Sequence, residues 1–222
     1  MLKYALIPLL PFTGFLIAGL FGKFLKEKAA YFPIAGVIGA FLLSANAFFD
    51  VLGGAKINEN LYSWISIGSL SVNVGFQIDQ LTTVMLLVVT TLSSLIHIYS
   101  VGYMHGDKGY PRFFAYLALF TFFMLVLVMA NNFLVMFVGW EGVGLCSYLL
   151  IGFWYEKKSA ADAGVKAFVV NRVGDFGFVL AVLLIFLTFG TLDFSEVFAA
   201  IGTSVPTQTY QLFGGEITVI TL

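Results

Sequence analysis

Six stretches of about twenty apolar residues recur along the chain, at about 2–21, 29–49, 78–104, 113–129, 132–154 and 164–189. A bilayer core of roughly 30 Å takes about twenty residues of α-helix, so each stretch is long enough to cross it. In hydrocarbon every backbone amide must be paired, and an unbroken apolar run achieves this as a helix. Composition agrees: 60% of the 222 residues are hydrophobic and 10% charged, too apolar for a soluble domain of this size. The expected fold class is an all-α polytopic membrane protein of six transmembrane helices. A seventh is expected to open near Ile217. The first run lacks a small-residue cleavage site with a polar region behind it, so it is expected to stay as a helix. Pro8 and Pro11 should loosen or kink it.

Four regions follow: two helices over 1–49, an external loop over 50–77, four helices over 78–189, and an external amphipathic segment with the start of a seventh helix over 190–222. Lysine and arginine set the sidedness. The first connection carries Lys23, Lys26 and Lys28, the third Lys108 and Arg112, the fifth Lys157 and Lys158. The second has Lys56 against Asp50 and Glu59. The fourth, at Asn131 and Asn132, has no cation, and the sixth has none against Asp193, Glu196 and Glu216. Odd connections are therefore expected in the cytoplasm or its equivalent, with the amino terminus outside.

Within the second connection, 62–68 and 70–76 alternate apolar and polar residues around Gly68-Ser69, which predicts a β-hairpin on the outer surface. Two readings are open. The hairpin is a lid on its own helices, or an edge strand that pairs with a neighbouring subunit, with Val72 and Val74 supporting that contact. In the sixth connection, Thr191 or Asp193 is expected to cap a short interfacial helix.

Three charges fall well inside the last two spans. Glu141 lies about halfway along FLVMFVGWEGVGLCSYLLIGFW, roughly 15 Å from the Asn131 end. Arg172 and Asp175 lie within VKAFVVNRVGDFGFVLAVLLIF. A charge at that depth costs at least ~3 kcal/mol, so it is retained where it is paired, faces water or does work. Burial favours a neutral acid and a nearby cation favours the carboxylate; a carboxyl held between the two can take and release a proton. Gly139, Gly142 and Gly144 would let another helix approach and leave room for water. Arg172 and Asp175, three apart, share a helix face, and Asn171 extends the polar strip. They serve either as a self-neutralising pair or as a switch whose arginine changes partner. Gly174 and Gly177 would again permit close helix contact. Asp162 and Lys166 are expected to form a helix-end ion pair, with Lys166 alternatively at the mouth of a proton path. His97 has the right intrinsic acidity for a shuttle, although a lone histidine more often serves structure. Asp79 is expected to cap the third span.

Other chemistries find no support in the sequence. No basic run suggests nucleic acid. The lone Cys146 gives neither a disulfide framework nor metal-ligand spacing. There is no Gly-rich nucleotide loop, no histidine pair for haem and no cysteine cluster for iron–sulfur.

GWEGVGLCSYLLIGFW at 139–154, KAFVVNRVGDFGF at 166–178, and SLIHIYSVGYM with GYPRFFAYLALF within 94–120 resemble one family, the antiporter-like subunit L (mitochondrial subunit 5) of respiratory complex I, NADH:quinone oxidoreductase. The likeness is dense from about Asp79 to about Gly190. It implies a proton-pumping module of the membrane arm, with Glu141 as the key buried glutamate, Arg172 and Asp175 as the arginine and aspartate of the next helix, and Lys166 as the lysine before them. It further implies an outer-surface hairpin, partners among the other membrane subunits and above all a neighbouring antiporter-like subunit, and residence in the lipid bilayer of a bacterial plasma membrane, or else an organellar inner membrane. No cofactor is expected in this chain. NADH, FMN, iron–sulfur clusters and quinone belong to other subunits of such a complex. Family members run to roughly three times this length, as two inverted five-helix repeats. The chain is therefore expected to be the amino-terminal part of a longer protein, with the lysine that partners Glu141 about midway along a seventh span beyond Leu222. The competing expectations are a sodium/proton antiporter subunit, a purely structural membrane subunit, and a seven-helix photoreceptor, which would need a Schiff-base lysine in that seventh span.

Overall fold

The structure, a computed structural model, describes residues 2–68, 70–203, 209–212 and 215–218. Helix α1 (Leu2–Leu25) runs through Pro8 and Pro11, turns through a short 3-10 segment at Lys26–Ala30, and returns as α2 (Tyr31–Leu52). A hairpin of β1 (Ile57–Ile67) and β2 (Leu70–Ile78) follows. Then come α3 (Gln80–Tyr103), α4 (Tyr110–Met129), α5 (Phe133–Ile151), α6 (Lys158–Phe189) and the short α7 (Phe194–Thr203). Five helical stretches among the described residues are long and apolar enough to cross a membrane. The first, Lys3–Leu52, contains both α1 and α2. The chain is a helical integral membrane protein.

Helix α4 sits centrally, packed on α1, α3 and α5. Tyr4, Ile7, Ala47, Ile78, Leu86 and Met129 form a core where α1 to α4 meet beneath the hairpin. Lys3 and Tyr4 reach Asp50 at 2.7 and 2.9 Å, joining the start of α1 to the end of α2. At the opposite end His105 stands 3.6 Å from Glu27, and the Trp154 indole donates to Asp107 at 3.0 Å. The first, third and fifth connections thus share one end of the bundle. The hairpin, Asn131, Asn132 and Asp193 share the other, through β-bridges from Phe76 to Ala130 and from Asn132 to Asp193.

The hairpin is longer than the alternation suggested. Gly68 takes φ +58°, suited to a glycine in a two-residue turn between Ile67 and Leu70; its turn partner Ser69 lies outside the described residues. Two register shifts make Leu61 and Trp64 extra residues in β1. Val72 is buried with Val182 of α6 and Leu192, so it is a core residue of this chain and not part of an outward contact. The exposed apolar residues are on β1: Leu61, Tyr62, Trp64 and Ile67.

Two helix starts follow from their caps. Asp79 accepts the Thr82 amide at 2.8 Å, and Asp193 accepts the Ser195 amide at 2.9 Å. Helix α6 begins at Lys158, earlier than the apolar pattern indicated, because helix formers such as Ala160, Ala161 and Ala163 extend it beyond the apolar stretch. The expected opening of a seventh helix differs from what is observed. Ile217 lies in β4 (Gly215–Thr218), which pairs antiparallel with β3 (Thr209–Leu212). Ile217 and Thr218 are β-branched, and paired glycines precede them, a combination that favours extended backbone over helix. Residues 219–222 lie outside the described residues.

Candidate functional site

Helix α5 has two faces, and their spacing places the site. Val135, Gly139, Gly142 and Cys146 form a buried stripe at helical spacing. Gly139 meets Leu127 of α4, and Gly142 meets the Phe123 ring; a Cβ at Gly142 would stand 2.1 Å from that ring. The backbones of α4 and α5 come this close because the glycines permit it. The other face, with Phe137, Glu141, Gly144 and Tyr148, turns to α6. Phe137 stacks on Phe178 at 5.3 Å and Tyr148 meets Phe168 at 5.6 Å.

Between these aromatic contacts lies the charged cluster. Glu141 is the ninth of the nineteen residues of α5, and its Oε2 accepts a hydrogen bond from Arg172 Nη1. The same nitrogen lies 3.7 Å from Asp175 Oδ2. Asp175 Oδ1 accepts the Trp140 indole N–H at 2.7 Å. The guanidinium also lies over the Phe168 ring at 4.9 Å. Arg172 therefore bridges two carboxylates on two helices. Asp175 is buried and Arg172 is half exposed. Glu141 Oε1 is buried and has no hydrogen-bond partner. Nothing would lie within 4 Å of a Cβ at Gly144, one turn along, so open space adjoins this part of α5.

Three of the candidate residues, Glu141, Arg172 and Asp175, are thus brought together. Lys166 is not among them. It is exposed on α6, and it forms no ion pair with Asp162, also exposed, among the described residues; exposed pairs of this kind gain little by meeting. Gly174 and Gly177 would meet nothing within 4 Å, so the close contact expected at them is absent among the described residues. They sit on the side of α6 turned away from α5, together with exposed Val173 and Phe176. Asn171 is exposed as well.

His97 lies apart, at the α3–α4 contact, with no exposed surface. Its Nδ1 is 2.8 Å from the Ser93 carbonyl oxygen, which makes Nδ1 the protonated, donating nitrogen. Ser93 Oγ is 2.6 Å from Thr121 Oγ1, and Thr121 donates back to Leu117 O at 3.0 Å. His97 Nε2 is buried without a partner.

The sequence reading did not single out two contributors. Trp140 is one; its signal is an indole N–H in an apolar span, which needs an acceptor. The Asn131–Asn132 pair is the other. Asn132 caps α5 by accepting Val135 N at 2.9 Å and donates to Asn73 O at 2.7 Å, while buried Asn131 donates to Asn60 at 2.7 Å. Together they clamp the hairpin onto the start of the helix that carries Glu141.

Two adjacent helices of a membrane bundle thus hold an acid–arginine–acid cluster. Residues 64–114 match the family model for the amino-terminal region of NADH-ubiquinone oxidoreductase (complex I) chain 5, and 130–221 match the transmembrane family of NADH:quinone oxidoreductases and Mrp antiporters. The chain belongs to this family of antiporter-like membrane subunits. It is 48% identical over 223 residues to NADH-quinone oxidoreductase subunit L of Neisseria meningitidis, covering 97% of this chain and 32% of that protein. It is 47% identical over 221 residues to NADH-ubiquinone oxidoreductase chain 5 of Arabidopsis thaliana, covering 99% and 33%. The chain thus spans about a third of the length of these relatives. Its fold is similar to chains of the archaeal membrane-bound sulfane sulfur reductase (TM-score 0.76, 19% identity, 87% of this chain and 39% of that one). A chain of the Mrp complex from a Dietzia species is similar as well (TM-score 0.74, 23% identity, 87% and 20%).

Proposed function

We propose that this chain forms part of a proton-translocating membrane subunit of an NADH:quinone oxidoreductase, in which quinone reduction in other subunits drives proton transfer through Glu141. The carrying observation is the geometry of that carboxyl. One oxygen is held by Arg172, and the other is buried and unpartnered beside open space at Gly144. Such a group changes its proton affinity when its cation moves, because a carboxylate loses most of its stabilisation in a low-dielectric setting once unpaired. Arg172 is the movable cation and Asp175, fixed by Trp140, is its alternative partner. His97 is a secondary candidate, favoured by its unpartnered Nε2; Lys166 is proposed to stand at the entry to the path from the positive end of the bundle.

In this reading α1 to α6 make six spans, with the positive end in the cytoplasm of a bacterium. NADH, FMN, iron–sulfur clusters and quinone reside in other subunits. A neighbouring antiporter-like subunit docks on the free edge of β1. Replacing Trp64 and Ile67 by lysine in the complete complex should lower recovery of that neighbour; unchanged recovery would leave the hairpin a lid. A sodium/proton antiporter subunit is the second reading, favoured by the family match over 130–221 that both classes share.

Glu141→Gln keeps the shape of the side chain and removes its charge. The complete complex carrying it should assemble at normal yield, while the number of protons moved per quinone reduced falls. Normal stoichiometry at normal turnover would make Glu141 structural. Transport that follows sodium rather than protons would favour the second reading.

A further inference from the structure

The positive end of the bundle holds a feature that proton transfer does not use. The last turns of α1 and the first turn of α4 cross in close contact, where a Cβ at Gly22 would stand 2.6 Å from Pro111. Beside the crossing opens a cleft of about 560 Å³. Its floor is apolar, from Phe15, Ala18 and Ala115. Its rim carries four cations, Lys23, Lys26, Lys108 and Arg112, against two carboxylates, Glu27 and Asp107. Asp107 accepts the Trp154 indole and the Gly109 amide, and Glu27 lies 3.6 Å from His105, an ion pair when that imidazole is protonated. The three lysines are exposed and have no ion-pair partner among the described residues. Lys26 also occupies a left-handed backbone conformation, φ +51°, which a side-chain-bearing residue adopts less readily than glycine. Arg112 is turned towards the residues that follow α5, its guanidinium 4.9 and 5.1 Å from the Phe153 and Tyr155 rings and its Nη2 donating to Phe153 O at 3.4 Å, so the three lysines are the rim's unengaged cations among the described residues.

We propose that this cleft binds an anionic phospholipid of the adjoining leaflet, its phosphate on the lysines of the rim and an acyl chain along the apolar floor. Charge complementarity selects the occupant. A zwitterionic headgroup would bring its own cation into a rim that already has a surplus of positive charge. A free anion would leave the apolar floor on α1 and α4 uncovered. Basic clefts between membrane helices on the positive side suit such headgroups, at about 1 kcal/mol for each lysine or arginine near the surface. The inference does not rest on the proton-transfer reading.

The test uses the complete complex, delipidated in a neutral detergent and titrated with dioleoyl phosphatidylglycerol or dioleoyl phosphatidylcholine, with bound lipid read by native mass spectrometry. Phosphatidylglycerol should be retained on this subunit and phosphatidylcholine should not. Removing two exposed charges with Lys26→Gln and Lys108→Gln should weaken phosphatidylglycerol binding roughly fivefold per lysine. Gly19→Leu keeps the charges and fills the floor; its Cβ would make only ordinary contacts, 3.8 Å from Phe15 and 3.9 Å from Ala115, and it should also weaken binding. Equal retention of the two lipids, displacement of phosphatidylglycerol by excess inorganic phosphate, or unchanged binding in either variant would overturn the proposal.

Discussion

Two polar clusters lie inside the helical bundle, and they are built in opposite ways. His97, Ser93 and Thr121 sit where α3 meets α4, closed over by the chain's own side chains. Glu141, Arg172 and Asp175 sit where α5 meets α6, and α6 packs on little besides α5 and the hairpin. Its Val169, Val173, Phe176, Leu183 and Leu187 stay exposed. The closed cluster is bonded mostly to its own helix backbones, with His97 Nε2 left as its one buried unpartnered atom among the described residues. The open cluster holds two carboxylates around one guanidinium, with a carboxyl oxygen left over. The first cluster is sealed in by packing within this chain, and the second borders the exposed face of α6.

The largest expected effect tests the packing side of that contrast. Gly142→Ala drives a methyl into the Phe123 ring at 2.1 Å, and overpacking of this kind costs about 1–3 kcal/mol. Gly177→Ala meets nothing within 4 Å and gains roughly 1 kcal/mol of helix propensity. Thermal unfolding of the purified complex should therefore drop for the first and hold or rise for the second. If Gly177→Ala proves as disruptive as Gly142→Ala, the outer face of α6 is tightly covered in the assembly and the contrast between the clusters fails.

Next comes the coupling within the charged cluster. Arg172→Ala and Asp175→Asn should each reduce coupled proton movement less than Glu141→Gln does. Combined, they should lose less than the sum of the two, since contacting residues share an interaction of about 0.5–3 kcal/mol. Strict additivity would mean that the 3.7 Å approach of Arg172 to Asp175 carries no function.

A smaller effect is expected in the closed cluster. Thr121→Val removes the hydroxyl facing Ser93 and should lower stability by about 1 kcal/mol, with proton stoichiometry unchanged. A stoichiometry that falls while assembly stays normal would promote His97 from anchor to relay, and the contrast between the clusters would fail.

The contrast was partly visible in the sequence. Three charges inside apolar runs marked the open cluster, because hydrocarbon makes such residues conspicuous. Their partner across the helices was not visible. Which acid Arg172 would choose depends on how α5 and α6 are rotated, and Gly139 and Gly142 fix that rotation through contacts with α4. The glycines of α6 carry the same sequence signal and face open space, so small residues alone do not locate an interface. Asp79 and Asp193 were legible as caps because capping is local. The burial of Val72 is not legible, because alternation gives two faces to a strand without saying which is covered, and Val182 of α6 covers this one. At Ile217 hydrophobicity points to helix, where local β-branching and strand pairing decide.

The smallest expected effect concerns the clasp between the two regions. Asp107, on the connection from α3 to α4, accepts the indole of Trp154, which follows α5. That hydrogen bond, with a second from the Gly109 amide, holds the Asp107 carboxyl below its ordinary acidity range. A carboxyl whose folded value is depressed stabilises the fold fully above its unfolded value, near pH 4, and loses that contribution as pH falls through the folded value. Asp107→Asn keeps an acceptor for the indole and removes the charge. The variant should therefore unfold slightly more easily than the parent at neutral pH, by a few tenths of a kcal/mol for so exposed a group. The two should converge as the pH drops below about 4. Unfolding followed by Trp154 fluorescence, in a background with Trp64 and Trp140 replaced by phenylalanine, would read the clasp directly. A gap that persists or widens in acid would show that the charge of Asp107 does not hold α5 to the closed side of the bundle.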